Sequence, residues 1–350
     1  MLRVRVSVAA ALLASTIFLN LLPSASTECQ LPPHFPPAET SSTAVLCVDS
    51  HGCCNFTTVQ AAVDAVPKNS NKRTIPWINS GVYFEKVTLT KANVTFQGQG
   101  LNSTVIVWND TASSAKSTPG SASVYINADG FIAKNISFKN ASPAPKPGAQ
   151  DAQAVALRIK GDKAAFWGCG FFSAQDTLLD ELHRHYFKEC FIEGSIDFIF
   201  GDGQSLYENC TLNSIAEALP QGEHSINGAI TAQARKSNVS NSGFSFVGCT
   251  IQGTGWVLLG RAWEAFSRVV FAYTYMPSIV ASEGWSNWGD GGRNKTVFYG
   301  EHGCVGDGAN MAGRVDYARK LDDAQVQPFL DVSYIDGNEW IQAFNDSLIA

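Results

Sequence analysis

Three cysteines place the strongest constraint on this chain's architecture. Cys169, Cys190 and Cys210 lie 21 and 20 residues apart, each at the head of a short apolar segment. The segments read CGFF, CFI and CTL, and the same pattern of a small or polar residue followed by large apolar ones returns in NVTF at Asn93, NISF at Asn135 and CTI at Cys249. The remaining gaps run from 34 to 42 residues, close to two periods or to one period plus a long loop. Short strands recurring about every 20 residues are the signature of a parallel β-helix, in which each coil buries its apolar face by stacking on the next. Equivalent residues then form ladders, and the Asn/Cys position is expected to be one of them. The alternative is a β-sandwich with accidental spacing.

The same period bears on two acids. Asp176 follows Cys169 by seven residues, and Asp197 follows Cys190 by seven. If the cysteines are equivalent, so are the aspartates, on neighbouring strands roughly 4.8 Å apart. Asp197 sits in GSIDFIFG among Ile196, Phe198, Ile199 and Phe200, where a carboxylate costs several kcal/mol unless compensated or protonated. Two such acids side by side do not both ionise cheaply; one keeps its proton while the other is an anion. That is the pairing of a nucleophile with a general acid.

Residues 1–26 differ from the rest. Arg3 and Arg5 precede an almost entirely apolar run over 6–22 and the small residues PSAS, the pattern of a secretory signal peptide. Residues 27–44 are proline- and serine-rich and read as a linker, leaving 45–345 as one catalytic domain. No second apolar run is long enough to cross a bilayer, so a secreted, extracellular protein without a membrane span is expected. A formal charge of −6 with no Lys/Arg run argues against nucleic acid as a partner. Val59, Ala62, Val63 and Val66 share one face of a helix expected over 58–66 and ended by Pro67, and the stretch from Asp322 onward has helix-compatible patterns.

Secretion makes the nine cysteines disulfide candidates, with at least one left unpaired by the odd count. Their connectivity stays open; Cys210–Cys249 is the pair we single out. There is no CxxC or HExxH, so no metal is expected. Glycosylation sequons occur at Asn55, Asn93, Asn102, Asn135, Asn238 and Asn294, among others.

Five short motifs follow one another: GVYFEKV at 81–87, QAVAL at 153–157, QDTL at 175–178, DFIFG at 197–201 and LGRAW at 259–263. In this order and spacing, over about residues 45 to 320, they resemble the pectinesterases (pectin methylesterases), particularly those of plants. The resemblance implies an all-β fold, a right-handed single-stranded parallel β-helix, here with a short N-terminal helix and long loops forming a cleft. It implies hydrolysis of methyl esters on galacturonate residues of pectin in the cell wall, with no cofactor. Asp197 is then the nucleophile and Asp176 the proton donor and later base. Gln175 and Gln153 are neutral amide donors to the oxyanion, and Arg261 keeps Asp197 ionised. Ser123, Gln153, Arg261, Trp263, Trp288 and Phe200 are the implied substrate contacts. The implied partners are pectin and proteinaceous pectinesterase inhibitors, with the enzyme a monomer.

Four positions depart from the family pattern. Ala262 replaces the proline of LGRPW, Ser173 the glycine of GAQD, Ser123 the threonine of a SAT segment, and Ser80 a frequent proline. None removes a reacting group. The long helical extension of many plant members does not appear between leader and body.

Each residue also has a plainer reading. An Asp197–Arg261 pair can be purely structural, and the tryptophans of GWSNWG at 284–289 can be core. Tyr83 and Glu85 are taken as structural, and His183 and His185 as packing and hydrogen-bonding residues. Without a GxSxG elbow a serine hydrolase has no support. The rival functions are a β-helical lyase or polygalacturonase and a non-catalytic wall-binding relative.

Overall fold

Each turn of the chain is a set of short strands joined at corners where one residue takes a left-handed conformation. The computed structural model describes residues 35–36, 39–68, 72–146 and 148–341; the expected leader and most of the linker lie outside them. Among the described residues, seven strands form one wholly parallel sheet: Gly81–Phe84, Thr104–Trp108, Ser137–Asn140, Gly170–Phe172, Phe191–Gly194, Thr211–Ile215 and Thr250–Thr254. A second, larger parallel sheet supplies two further strand positions per coil. Strands Leu178–Lys188 and Ile199–Glu208 run through both positions without a break and pair with each other; Leu157–Ile159 and Ala164–Trp167 flank the start and end of the first, Gly228–Gln233 and Gly243–Val247 those of the second. The fold is the parallel β-helix that the period implies.

The ladder is displaced from the expected register. The corner column is Asn135, Gly168, Glu189, Asn209 and Gly248, with φ of 53°, 58°, 53°, 53° and 64°. Backbone bonds of 2.9–3.1 Å link each of them to the next coil. Asn135 is therefore equivalent to Gly168, one residue before Cys169. Asn93 belongs to another corner, in line with Gly130 and Lys163. Asparagine tolerates the left-handed region, so the Asn and Cys signals mark neighbouring positions or different corners.

Cys169, Cys190, Cys210 and Cys249 do form a column, each one residue before a strand of the seven-stranded sheet, but as free, buried thiols. The Cys210–Cys249 disulfide is not formed. The two side chains point side by side into the core and donate instead to carbonyls of the preceding coil, Cys210 Sγ to Phe187 O at 3.5 Å and Cys249 Sγ to Tyr207 O at 3.4 Å. Cys47 is bonded to Cys54.

In-register stacking also orders the core. Phe166, Phe187, Tyr207, Phe246 and Phe271 occupy one inward column, with ring centroids 4.7, 4.5, 4.5 and 4.5 Å apart and planes within 16°. The repeat matches the spacing of neighbouring strands, so each ring lies flat on the next.

The N-terminal helix, Val59–Ala65, buries Val59, Ala62 and Val63. Thr58 Oγ1 caps Ala61 N–H, and the Glu85 carboxylate accepts from Val59 N at 2.7 Å and Gln60 N at 2.8 Å. These bonds satisfy amides that a helix start leaves without intrahelical partners. Tyr83 is buried and donates to Asn79 O. At the other end a one-turn helix, Asp323–Val326, is capped reciprocally by Asp322 and Gln325, then gives way to 3-10 turns. From there Tyr334, Ile335 and Trp340 pack on Ile132, Ala165, Tyr186 and Leu206 of the sheet.

Candidate active site

Two corners on adjacent coils supply the acids. Gln175 bridges to Ile196 in parallel, Asp176 N donates to Ile196 O at 3.0 Å, and Leu178 pairs with Ile199, so Asp176 and Asp197 are equivalent residues one coil apart. Both take left-handed backbone conformations, with φ of 60° and 48°. Such conformations are uncommon outside glycine, asparagine and aspartate and concentrate where side chains must be aimed.

Arg261 comes from Val257–Ala262, two strands further along. Leu179, Phe200, Ala232, Arg261 and Ser286 are in register across the sheet. The small side chain at Ala232 leaves room for the guanidinium to reach back across that strand. It grips Asp197 with two donors, Nε to Oδ1 at 2.8 Å and Nη2 to Oδ2. Its other face lies on the Trp288 ring, 4.1 Å from the centroid. Phe200 and Trp263 meet with centroids 5.9 Å apart.

These groups line a cleft of about 590 Å³ together with Gln153 and Gln175. The backbones of the two glutamines are tied by Ala154 N to Gln175 O at 3.0 Å, and Ser173 Oγ donates to Ala154 O at 2.6 Å. A serine at that departure therefore adds a support to the Gln153 segment. A second departure, Ala262, is braced by Arg293, which donates to the carbonyls of Ala262 and Trp263.

One expected contact lies elsewhere. Ser123 is fully buried, its hydroxyl donating to Lys139 O at 2.9 Å, and it does not line the cleft. Thr118 and Pro119 line it instead. The tryptophans of 284–289 divide: Trp285 is core, bonded to Glu301, while Trp288 is 40% exposed in the cleft beside Trp263 at 41%. Sequence reasoning missed Leu179, Asp202, Lys236 and Glu264, which also line it. Leu179 was accessible by adding the 21-residue offset backwards from Phe200; the others carry no motif.

Burial pushes the Asp176 carboxyl well above the ordinary range, and neighbouring Asp197 pushes it further, against a smaller opposing pull from Arg261. Burial also raises Asp197, but there the hydrogen bonds and charge of Arg261 work directly against it. The arrangement separates the two acids: both carboxyls are raised, Asp176 the further, because Arg261 offsets at Asp197 part of what burial does. Two unlike carboxyl groups side by side, with amides nearby and exposed tryptophans at the rim, can support nucleophilic and acid–base chemistry.

The chain is 56% identical over 317 residues to probable pectinesterase 8 of Arabidopsis thaliana, spanning 90% of this chain and 80% of the relative. Its structure matches the pectin methylesterase from carrot with a TM-score of 0.79 at 30% identity, covering 88% of this chain and 98% of the carrot chain. A pectin methylesterase solved in complex with a hexasaccharide matches with a TM-score of 0.71 at 25% identity, covering 83% and 96%. Residues 44–338 match the family model described as Pectinesterase, and the chain belongs to that family of carboxylic ester hydrolases.

Proposed function

We propose that the protein is a secreted cell-wall enzyme that hydrolyses methyl esters of galacturonate in pectin, using Asp197 as nucleophile and Asp176 as acid and base. The observation that carries this reading is the Arg261 guanidinium clasping Asp197 by two donors, with Asp176 one coil away in the same register.

In the first half-reaction an Asp197 oxygen attacks the ester carbonyl carbon. The carbonyl electrons move onto oxygen, where the amides of Gln153 and Gln175 stabilise the developing charge without titrating. As the intermediate collapses, the bond to methoxide breaks and Asp176 gives it a proton, so methanol leaves and an acyl anhydride joins galacturonate to Asp197. In the second half, Asp176, now a carboxylate, takes a proton from water. The hydroxide adds to the galacturonyl carbonyl, the anhydride bond breaks, and Asp197 returns to Arg261 as an anion. Trp263, Trp288 and Phe200 form aromatic walls on which sugar rings stack.

Within this reading residues 1–26 direct secretion and 27–44 link the leader to the domain at 45–345. The enzyme acts as a monomer on pectin and is a target for proteinaceous pectinesterase inhibitors. Purified mature protein on highly methylated pectin should release methanol while polymer length stays unchanged. New reducing or unsaturated chain ends without methanol would replace the esterase by a glycosidase or lyase. N-terminal sequencing of secreted material should begin near residue 27; a start at Met1 would remove the leader from the reading.

A further inference from the structure

Under the cleft the solenoid interior holds an acid and an imidazole that ester hydrolysis does not use. Asp180 and His185 are both fully buried, at a level of the coil otherwise filled by apolar and aromatic side chains. Buried groups of this kind cost several kcal/mol unless every polar atom is satisfied. Here they are satisfied completely. His185 Nδ1 lies 2.5 Å from Asp180 Oδ1, Tyr207 Oη donates to Asp180 Oδ2 at 2.6 Å, and His185 Nε2 lies 3.0 Å from Gly161 O. A carbonyl only accepts, so Nε2 donates to Gly161, and one proton lies between Nδ1 and Asp180.

These bonds join particular coils. Gly161 is on the coil that carries Gln153, ahead of which strand Leu157–Ile159 begins four residues after that glutamine. Asp180 and His185 lie in Leu178–Lys188, which starts two residues after Asp176. Tyr207 lies in Ile199–Glu208, which starts two residues after Asp197. The network also sits at the one irregularity between the two acid-bearing strands: Leu179 faces Phe200 and Leu182 faces Asp202, so Asp180 and Glu181 together oppose Gly201. Gly201 has φ 128°, and a Cβ there would stand 2.0 Å from Asp180 O; a Cβ on Gly203 would stand 2.0 Å from Asp180 Oδ1. The next coil is thus cut away to fit this carboxylate, and the bulge turns Glu181, Leu182, Gly201 and Asp202 into the cleft wall.

We propose that Asp180, His185 and Tyr207 are positioning residues for the ester hydrolysis, clamping together the three consecutive coils that carry Gln153, Asp176 and Asp197. The inference rests on the proposed roles of those three residues. Without the clamp the coils still stack through their ladders, but the bulge, and with it the offset between the acid and the nucleophile, is no longer held to one geometry.

Tyr207→Phe tests this by taking one donor from Asp180 while keeping the ring stacked on Phe187 and Phe246. It should lower kcat about tenfold with KM on methylated pectin unchanged, the scale of a small misplacement of reacting groups. It should also shift the titration of Asp176, which faces Asp197 and Arg261, when followed by carboxyl-carbon NMR. His185→Leu should do the same and His185→Gln, which returns a donor to Asp180, should recover part of the loss. Variants that lose thermal stability but keep kcat, KM and the Asp176 titration would reduce the network to packing and overturn the proposal. Asp197→Ala, run alongside, separates the two readings: turnover surviving there sinks the nucleophile assignment, while the NMR titration still decides the clamp.

Discussion

Arg261 holds Asp197 through two parallel hydrogen bonds while its opposite face is covered by Trp288. The guanidinium thus has a charged partner in plane and an aromatic one out of plane, and neither is interchangeable with what a lysine offers. Removing it as Arg261→Gln leaves a buried carboxyl with less to offset its burial, so Asp197 should titrate at higher pH. In the proposed mechanism ionisation of Asp197 sets the acid limb of the pH–rate profile, which should move upward. At the optimum the rate should fall about ten- to hundredfold, the worth of hydrogen bonds to a charged group. Methanol release across pH for both proteins checks this; an unmoved acid limb would mean that Arg261 does not set the state of Asp197.

Asp176 yields a prediction that couples activity to stability in opposite directions. Its folded-state carboxyl is raised above the unfolded value by burial and by Asp197. A raised acid contributes fully to stability below its unfolded value, and that contribution is lost as pH rises through the folded one. Asp176→Asn carries no such loss. It should therefore melt higher than the wild type near pH 7, with the difference shrinking towards pH 3, while turnover drops by about 10² to 10⁴, the range for a missing general acid. Melting curves at the two pH values, with rates on the same preparation, test both halves.

How much of this was readable beforehand follows from what a period specifies. The 21-residue offset ties Asp176 to Asp197 and Leu179 to Phe200, because a solenoid turns sequence distance into register. The period does not say which corner a residue occupies, which is why Asn93 and the cysteines looked like one ladder. Nor does it trace loops: Ser123 belongs to a strand entry facing inward, and the cleft wall there is made by Thr118 and Pro119. Lys236 and Glu264 reach the cleft from segments with no motif. Asp180, His185 and Tyr207 are separated in sequence, and only the fold shows that they meet.

The aromatic column makes stability depend on single rings. Phe187 stacks between Phe166 and Tyr207 at 4.7 and 4.5 Å and is fully buried. Phe187→Ala should cost about 3–5 kcal/mol, from lost transfer energy plus the cavity left between rings that cannot close up. Urea unfolding should show a lower midpoint with an unchanged slope. A loss below about 1 kcal/mol would mean that the coils collapse onto the gap.

Glu85 makes a second, local contribution. Its two oxygens cap the first amides of Val59–Ala65 from the bend that follows strand Gly81–Phe84, so it joins the helix to the solenoid as well as starting it. Glu85→Ala should destabilise by about 1.5–3 kcal/mol, more than Thr58→Ala at about 1 kcal/mol. Amide exchange of Val59 and Gln60 should speed up in Glu85→Ala, whereas the core strands keep their protection. Equal effects of the two substitutions would remove the special place of the carboxylate.

The last prediction concerns charge outside the reacting pair. The chain carries a formal charge of −6, and the cleft is lined by Glu181, Asp202 and Glu264 against Lys236 and Arg261. Glu181 is neutralised by Arg158 and Glu264 lies 3.9 Å from Lys236, while Asp202 has Ser242 as its partner and forms no ion pair among the described residues. De-esterification converts neutral esters into carboxylates, so the polymer becomes progressively more repelled by the enzyme that processes it. Raising ionic strength from about 0.01 to about 0.1 M shortens the screening length from roughly 30 to roughly 10 Å. It should raise kcat/KM severalfold on low-methoxyl pectin and change it little on highly methylated pectin. Asp202→Asn should weaken that salt dependence without altering the rate on fully methylated substrate. Salt that only inhibits, on either substrate, would mean that Lys236 and Arg261 draw the polymer in and that the net charge does not govern binding.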